Sequence, residues 1–338
     1  MPVDTEGLAQ KYRAATLDPQ GERILLTNFR GSQQEQDLTD PPNCQGFGRV
    51  RHFRRNSSKG WPTNPLPIDP AHSRLGLPRT DELRAQVFQN SACNWRCWYC
   101  FVPYNLLSAD SARSAWISAP ELVDMYLKEG SRPAVIDLSG GQPELTPEWV
   151  PWMIDAIEER GLGGSVYLWS DDNLSCDYFW RYLSTAQQER VATYPYYGRV
   201  ACFKGFDEES FEFNTRADRG WFGKQFELMS RLVGSGMDVY AYVTFTTPMA
   251  HSIGDSMRTF VDRLQDIDEN LPLRTIPLEV QEFSPVTSRL TDVRRAAFVH
   301  QWAAVEAWQE ELGKRFNSQA RSLAIDAVEL RSAFMKVS

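Results

Sequence analysis

The chain has 338 residues, 42% of them hydrophobic and 24% charged, with a formal net charge of −8. These are ordinary proportions for a globular protein with a sizeable core, and no run approaches the roughly 20 apolar residues of a membrane helix. The acidic balance argues against a protein that grips nucleic acid through its overall field, and the opening MPVDTEGLAQKYR lacks the basic start and apolar run of a secretory leader, so cytoplasm is the expected location.

Residues 1–83 read as an N-terminal extension that could close over the mouth of the domain that follows. They comprise a short amphipathic start, a strand at Arg23–Phe29 and a polar run rich in Gln, Asp and Pro. Prolines recur through 61–80, withholding backbone donors, which predicts an extended path over a surface.

From 84 to 289 short β-rich runs alternate with longer helical ones. Strands are expected at Ala85–Gln89, Ala134–Leu138, Ser165–Ser170, Arg199–Phe203, Asp238–Phe245 and Ile276–Phe283. Helices are expected near Ala119–Glu129, Pro147–Arg160, Asp177–Ser184, Trp221–Ser235 and Ser252–Asp266. Strands separated by helices imply right-handed crossovers and a parallel sheet, here an α/β fold of the open or partial (β/α)6, TIM-like barrel type. Residues 290–338 read as a helical segment of two helices, Thr291–Phe316 and Gln319–Lys336, with Phe298, Trp302, Val305 and Trp308 near helical spacing.

Three of the six cysteines fall in one short stretch, SACNWRCWYC, as Cys93, Cys97 and Cys100. The stretch directly follows the first strand expected in the alternating region. Three thiolates from one loop can ligate three irons of a [4Fe-4S] cluster and leave the fourth iron open to a ligand. Structural zinc would need a fourth donor, and Cys44, His72 and Cys176 are all distant in sequence. Three unrelated core cysteines are the remaining alternative. No second cysteine-rich block follows, so a single cluster is expected.

This spacing, with Tyr99 just before the third cysteine, resembles the radical S-adenosylmethionine (SAM) superfamily. The resemblance implies that the open iron chelates SAM and that Tyr99 packs against its adenine. After the second strand, Ser139-Gly140-Gly141-Gln142-Pro143 is similar to that family's Gly-Gly-Glu-Pro segment, with Gln142 in place of the usual acid. Glycines suit a turn whose carbonyls must approach the SAM ammonium closely. Ser170, Asp171 and Asn173 resemble an Asp-Thr-Asn segment, and Lys204 an Asp-x-Lys segment, of glycyl-radical activating enzymes. Cys202 replaces the acid of the second. Helix capping is the competing reading for Asp171 and Asn173, and a solvated strand end for Lys204.

The resemblance implies that SAM is cleaved to a 5′-deoxyadenosyl radical that takes a hydrogen from a polar small molecule, such as a sugar, nucleoside or amino-acid derivative. A flavodoxin or ferredoxin would supply the electron. Alternatives are an activating enzyme that installs a glycyl radical on a partner protein, and a non-catalytic metal-binding module. For the substrate, the basic run GRVRHFRRNSSKGW offers Arg51 and Arg54, since arginine forks bind carboxylates and phosphates. A solvated basic strand is the plainer reading of that run. Strand alternation would also place Glu279 and Gln281 on one face of the last strand, with Glu282 on the other. No residue stands out as a catalytic acid or base.

Overall fold

Two sheets organise the computed structural model, in which residues 2–330 are described. Their strands, in chain order, are β1 (Leu17–Asp18), β2 (Arg23–Thr27), β3 (Gly48–Arg54), β4 (Glu82–Phe88), β5 (Ser114–Ser118), β6 (Val135–Leu138), β7 (Tyr167–Asp172), β8 (Tyr197–Phe203), β9 (Val239–Thr244) and β10 (Thr275–Leu278). β1, β2 and β5 make a small antiparallel sheet; the other seven form one open sheet in the order β10-β9-β8-β7-β6-β4-β3.

Six of those seven are parallel and lie side by side in chain order, and they are the six strands the sequence predicts within 84–289. The seventh, β3, runs antiparallel along β4 and belongs to the stretch read as an extension. Its arginines made it look like a solvated strand, but alternate residues point to opposite faces, so Arg49 and Arg51 turn inward together. β10 ends at Leu278, short of the expected Phe283. Beyond it, the Val280 backbone is captured by a helix: the Gln301 side chain accepts from its N–H and donates to its C=O, both at 3.1 Å.

One face of the sheet carries Ile136, Leu138, Leu168, Ala201, Phe203, Ala241 and Val243. It packs on helices Ala119–Lys128, Trp149–Glu159, Trp221–Gly234 and Ile253–Ile267. Each of these helices lies within a turn of its expected position, and the first is fixed by a capping box between Ser118 and Glu121.

The other face is filled near the strand N-termini by Leu66, Ile68 and Ala71, against Ala85, Val135, Trp169 and Tyr240. The expected extended path of 61–80 is therefore corrected: Ile68–Leu75 is a helix, with Pro70 in its first turn, where no backbone donor is needed. Arg74 reaches Asp238, just before β9, at 3.4 Å, so this plug sits at the strand N-termini.

Asp292–Arg315 forms the expected long C-terminal helix. The second, Gln319–Lys336, is not continuous: a turn at Ser318–Arg321 and a 3-10 turn at Ile325–Ala327 replace it up to Leu330. Arg274 takes the Val328 carbonyl at 2.7 Å, which holds this stretch against the sheet; residues 331–336 of that helix lie outside the described residues. No helix among the described residues is long and apolar enough to cross a membrane.

Candidate active site

The loop after β4 carries Cys93, Cys97 and Cys100, all three free and half-buried. Its backbone is held by neighbours, not by a ladder. Arg289 donates to the Cys100 and Val102 carbonyls at 2.7 and 3.1 Å, its guanidinium 3.8 Å from the centre of the Tyr104 ring. Tyr104 donates to the Cys97 carbonyl at 3.0 Å, and Arg96 caps the Cys93 carbonyl while reaching Tyr12 of helix Thr5–Thr16 at 2.7 Å. Trp95 and Trp98 are buried and donate to Thr5 and Asn214.

Gly140 and Gly141 follow β6 with φ of +92° and +67°, a region that side chains rarely enter. A Cβ at Gly141 would stand 2.3 Å from the Asn90 carbonyl oxygen and 2.6 Å from that of Ala92. This turn thus lies directly against the root of the cysteine loop, and Gln142 N donates to the Ala92 carbonyl at 2.7 Å. The Gln142 side chain is a brace: its amide donates to Asp172 at 3.0 Å and accepts from Asn173 N at 3.0 Å. A glutamate here would face the Asp172 carboxylate, so the amide matches its neighbour. Asn173 in turn points its side-chain amide at Cys93 Sγ, 3.7 Å away.

Above the parallel strand ends, Tyr99 bonds through its hydroxyl to Thr244 at 3.1 Å, and Ser139 donates to Asp171 at 2.6 Å. Lys204 follows β8. Burial opposes its charge, yet Cys202, Tyr99, Cys97 and Asp171 together raise its pKa. Burial pushes the Asp171 carboxyl up, against the pull of Arg51, Ser139, Lys204 and Arg49. Burial likewise raises all three loop thiols, Cys97 to about 12, and Cys97 feels both Cys100 and Cys93.

Arg51 reaches inward to within 4.0 Å of Asp137. The other residues singled out lie elsewhere. Ser170 is on the helix-covered face, bonded to Tyr197 at 2.7 Å. Arg54 pairs with Glu82 at 3.2 Å at the far end of β4, both largely exposed. Glu279 and Gln281 lie past the end of β10, so strand alternation does not place them. They bond to each other at 3.2 Å, and Glu279 also accepts from Ser58 N at 3.2 Å. Sequence reasoning passed over Asp137, a lone acid in the apolar strand VIDL, which is itself the signal of a buried charge with a task.

Among the described residues no three His, Cys, Asp or Glu side chains converge as ligands of one ion would. The donor set of the loop fits a [4Fe-4S] group, in which each thiolate takes a different iron and the sulfurs need not converge on a point. The three thiols are within electrostatic reach of one another and of Lys204.

No family model matches the chain, and no curated protein matches it. Among solved structures it is similar to SuiB of Streptococcus suis bound to S-adenosylmethionine, at 14% identity and a TM-score of 0.44, over 68% of this chain and 47% of that one. It is also similar to SuiB bound to the precursor peptide SuiA, at 13% identity and a TM-score of 0.37, over 52% and 36%. The likeness therefore spans less than half of SuiB.

Proposed function

We propose that the chain is a radical SAM enzyme acting on a polar small molecule, with the sheet as a partial TIM-like barrel. The observation that carries this reading is the cysteine loop, seated after β4 with the left-handed Gly140-Gly141 turn pressed against its root. When bound, a [4Fe-4S] cluster on Cys93, Cys97 and Cys100 would deliver an electron that cleaves SAM and yields a 5′-deoxyadenosyl radical. The chain's own residues supply position. Arg289, Arg96 and Tyr104 fix the loop carbonyls; Gly140 and Gly141 leave backbone open to the SAM ammonium; Lys204 would face its carboxylate and Tyr99 its adenine.

In this reading residues 84–289 are the catalytic barrel, 1–83 its cover and 290–338 a helical flank. Two contacts span the gap between β3 and β10: Ser58 N to Glu279, and the Trp61 indole to the Pro277 carbonyl at 3.1 Å. Gln33 and Asp37 likewise bond to Ser284 beyond β10. A gap closed this way suits a small molecule better than an inserted loop of a partner protein. Such chemistry needs an electron donor of the flavodoxin or ferredoxin type. Anaerobic reconstitution with iron and sulfide, absorption spectroscopy and mass spectrometry for 5′-deoxyadenosine test the proposal; zinc without iron, or no SAM cleavage by an iron-loaded protein, would overturn it.

A further inference from the structure

Below the cysteine loop, a buried base and a buried acid stand on one rung of the sheet with Val87 between them: Arg49 on β3 and Asp137 on β6, whose carboxyl burial pushes well up. Arg49 is 5% exposed, and its Nε and Nη2 have no hydrogen-bond partner. Asp137 is 0% exposed, and neither carboxylate oxygen has one. The nearest cation to Asp137 is Arg51, at 4.0 Å. Leaving a buried donor or acceptor unmade costs about 1–3 kcal/mol, more when it is charged, and native interiors hold few such groups.

A structural ion pair would have closed. Arg199 and Glu144, equally buried, meet at 2.9 Å although other atoms of both lack a partner, whereas Arg49 and Asp137 make no contact of that kind with each other. Each instead keeps its polar edge free. A bound anion would satisfy Arg49 and leave Asp137 worse off; a bound cation would do the reverse. A ligand with both charges close together completes the two at once.

We propose that Arg49 and Asp137 form a seat for the α-amino-acid group of the substrate, the Nε–Nη2 edge of Arg49 taking its carboxylate and Asp137 its ammonium. That edge presents two parallel donors, the geometry that holds a carboxylate with two hydrogen bonds. The Arg49 guanidinium lies 5.3 Å from the Phe101 ring centre and 5.9 Å from that of Phe29. Phe101 directly follows Cys100, so the seat adjoins the loop where the radical would arise. Arg51, whose side chain is 29% exposed, marks where the seat meets solvent. Calling the occupant a substrate rests on the radical SAM reading; the seat itself does not.

The test is a thermal-shift panel of the twenty common L-amino acids on the full-length protein, with calorimetry for each that binds and for its N-acetyl and carboxamide forms. We expect at least one amino acid to raise Tm, and both blocked forms to bind at least tenfold more weakly. Arg49→Met should abolish the shift. Its empty form should melt at or above wild type, because it removes an unpaired buried charge and keeps an unbranched stem against Phe29 and Phe101. Four results would overturn the seat: no shift from any amino acid, an equal shift from blocked forms or from inorganic phosphate alone, a lower Tm for empty Arg49→Met, or loss of SAM binding in that variant, which would assign the seat to SAM. A protein that makes 5′-deoxyadenosine yet ignores the panel keeps the radical reading and loses the seat. One that binds an amino acid but takes up no iron does the opposite.

Discussion

The two faces of the seven-stranded sheet are built to different ends. Against the helices, Ile136, Leu168, Ala201 and Val243 are fully buried and apolar. On the opposite face, toward the strand C-termini, the same strands present Asp137, Asp171 and Cys202, with Arg49 and Arg51 from β3. Several polar atoms there have no partner. The first face is mainly apolar, with the Arg199–Glu144 pair buried beside it; the second carries Arg49 and Asp137 with no ion pair between them. Because strands alternate, both properties fit in a four-residue strand such as β6, where Ile136 and Leu138 serve one face and Val135 and Asp137 the other.

Substitutions on the two faces and at the loop between them test the contrast. Cys97→Ala should have the largest effect, reducing 5′-deoxyadenosine formation to background and impairing iron retention; normal production by an anaerobically reconstituted variant would refute the cluster assignment. Leu168→Ala, on the helix face, should cost about 2–5 kcal/mol in urea unfolding through the cavity it leaves. Arg49→Met on the other face should cost nothing in the empty protein.

Gly141→Ala should destabilise by about 2–3 kcal/mol, since it combines a left-handed backbone with a Cβ pressed on two carbonyls. Gly140→Ala meets the flexible Gln89 side chain and should cost less. Comparing the two variants' unfolding midpoints and SAM affinities separates backbone strain from a lost ligand contact.

A further effect concerns pH. Burial pushes the Glu144 carboxyl up to about 7, against the pull of Arg199 and with Asp172 adding to the rise. A raised acid pKa means that the fold holds the proton more tightly than the unfolded chain does. Its contribution to stability is therefore full below the unfolded value and is lost as pH rises toward 7. Glu144→Gln should flatten the decline in unfolding free energy between pH 5 and 7 by on the order of 1–2 kcal/mol. An unchanged slope would show that Glu144 stays ionised beside Arg199.

Much of the scaffold was legible because its signals are local. β6 to β9 and their helices follow from period-2 and period-3.6 runs and from caps such as Ser118, and the cysteine spacing marks its loop without any tertiary information. The turn at Gly140-Gly141 could be read for the same reason. Where Ser170 and Arg54 sit was not legible, because it depends on which face or end of the sheet they occupy. Tyr197 and Glu82, their partners, are distant in sequence or mean nothing until the register is known. The helix at Ile68–Leu75 was hidden by prolines whose cost vanishes in a first turn.

By itself, then, the sequence determined the alternation of strands and helices and the three thiols in one loop, since both are written in residues a few positions apart. Only the tertiary structure decided that β3 joins the sheet and that Arg49 and Asp137 stand unpaired on one rung. Those facts arise from pairings across tens of residues, where hydrogen-bond register, and no local propensity, chooses the neighbours.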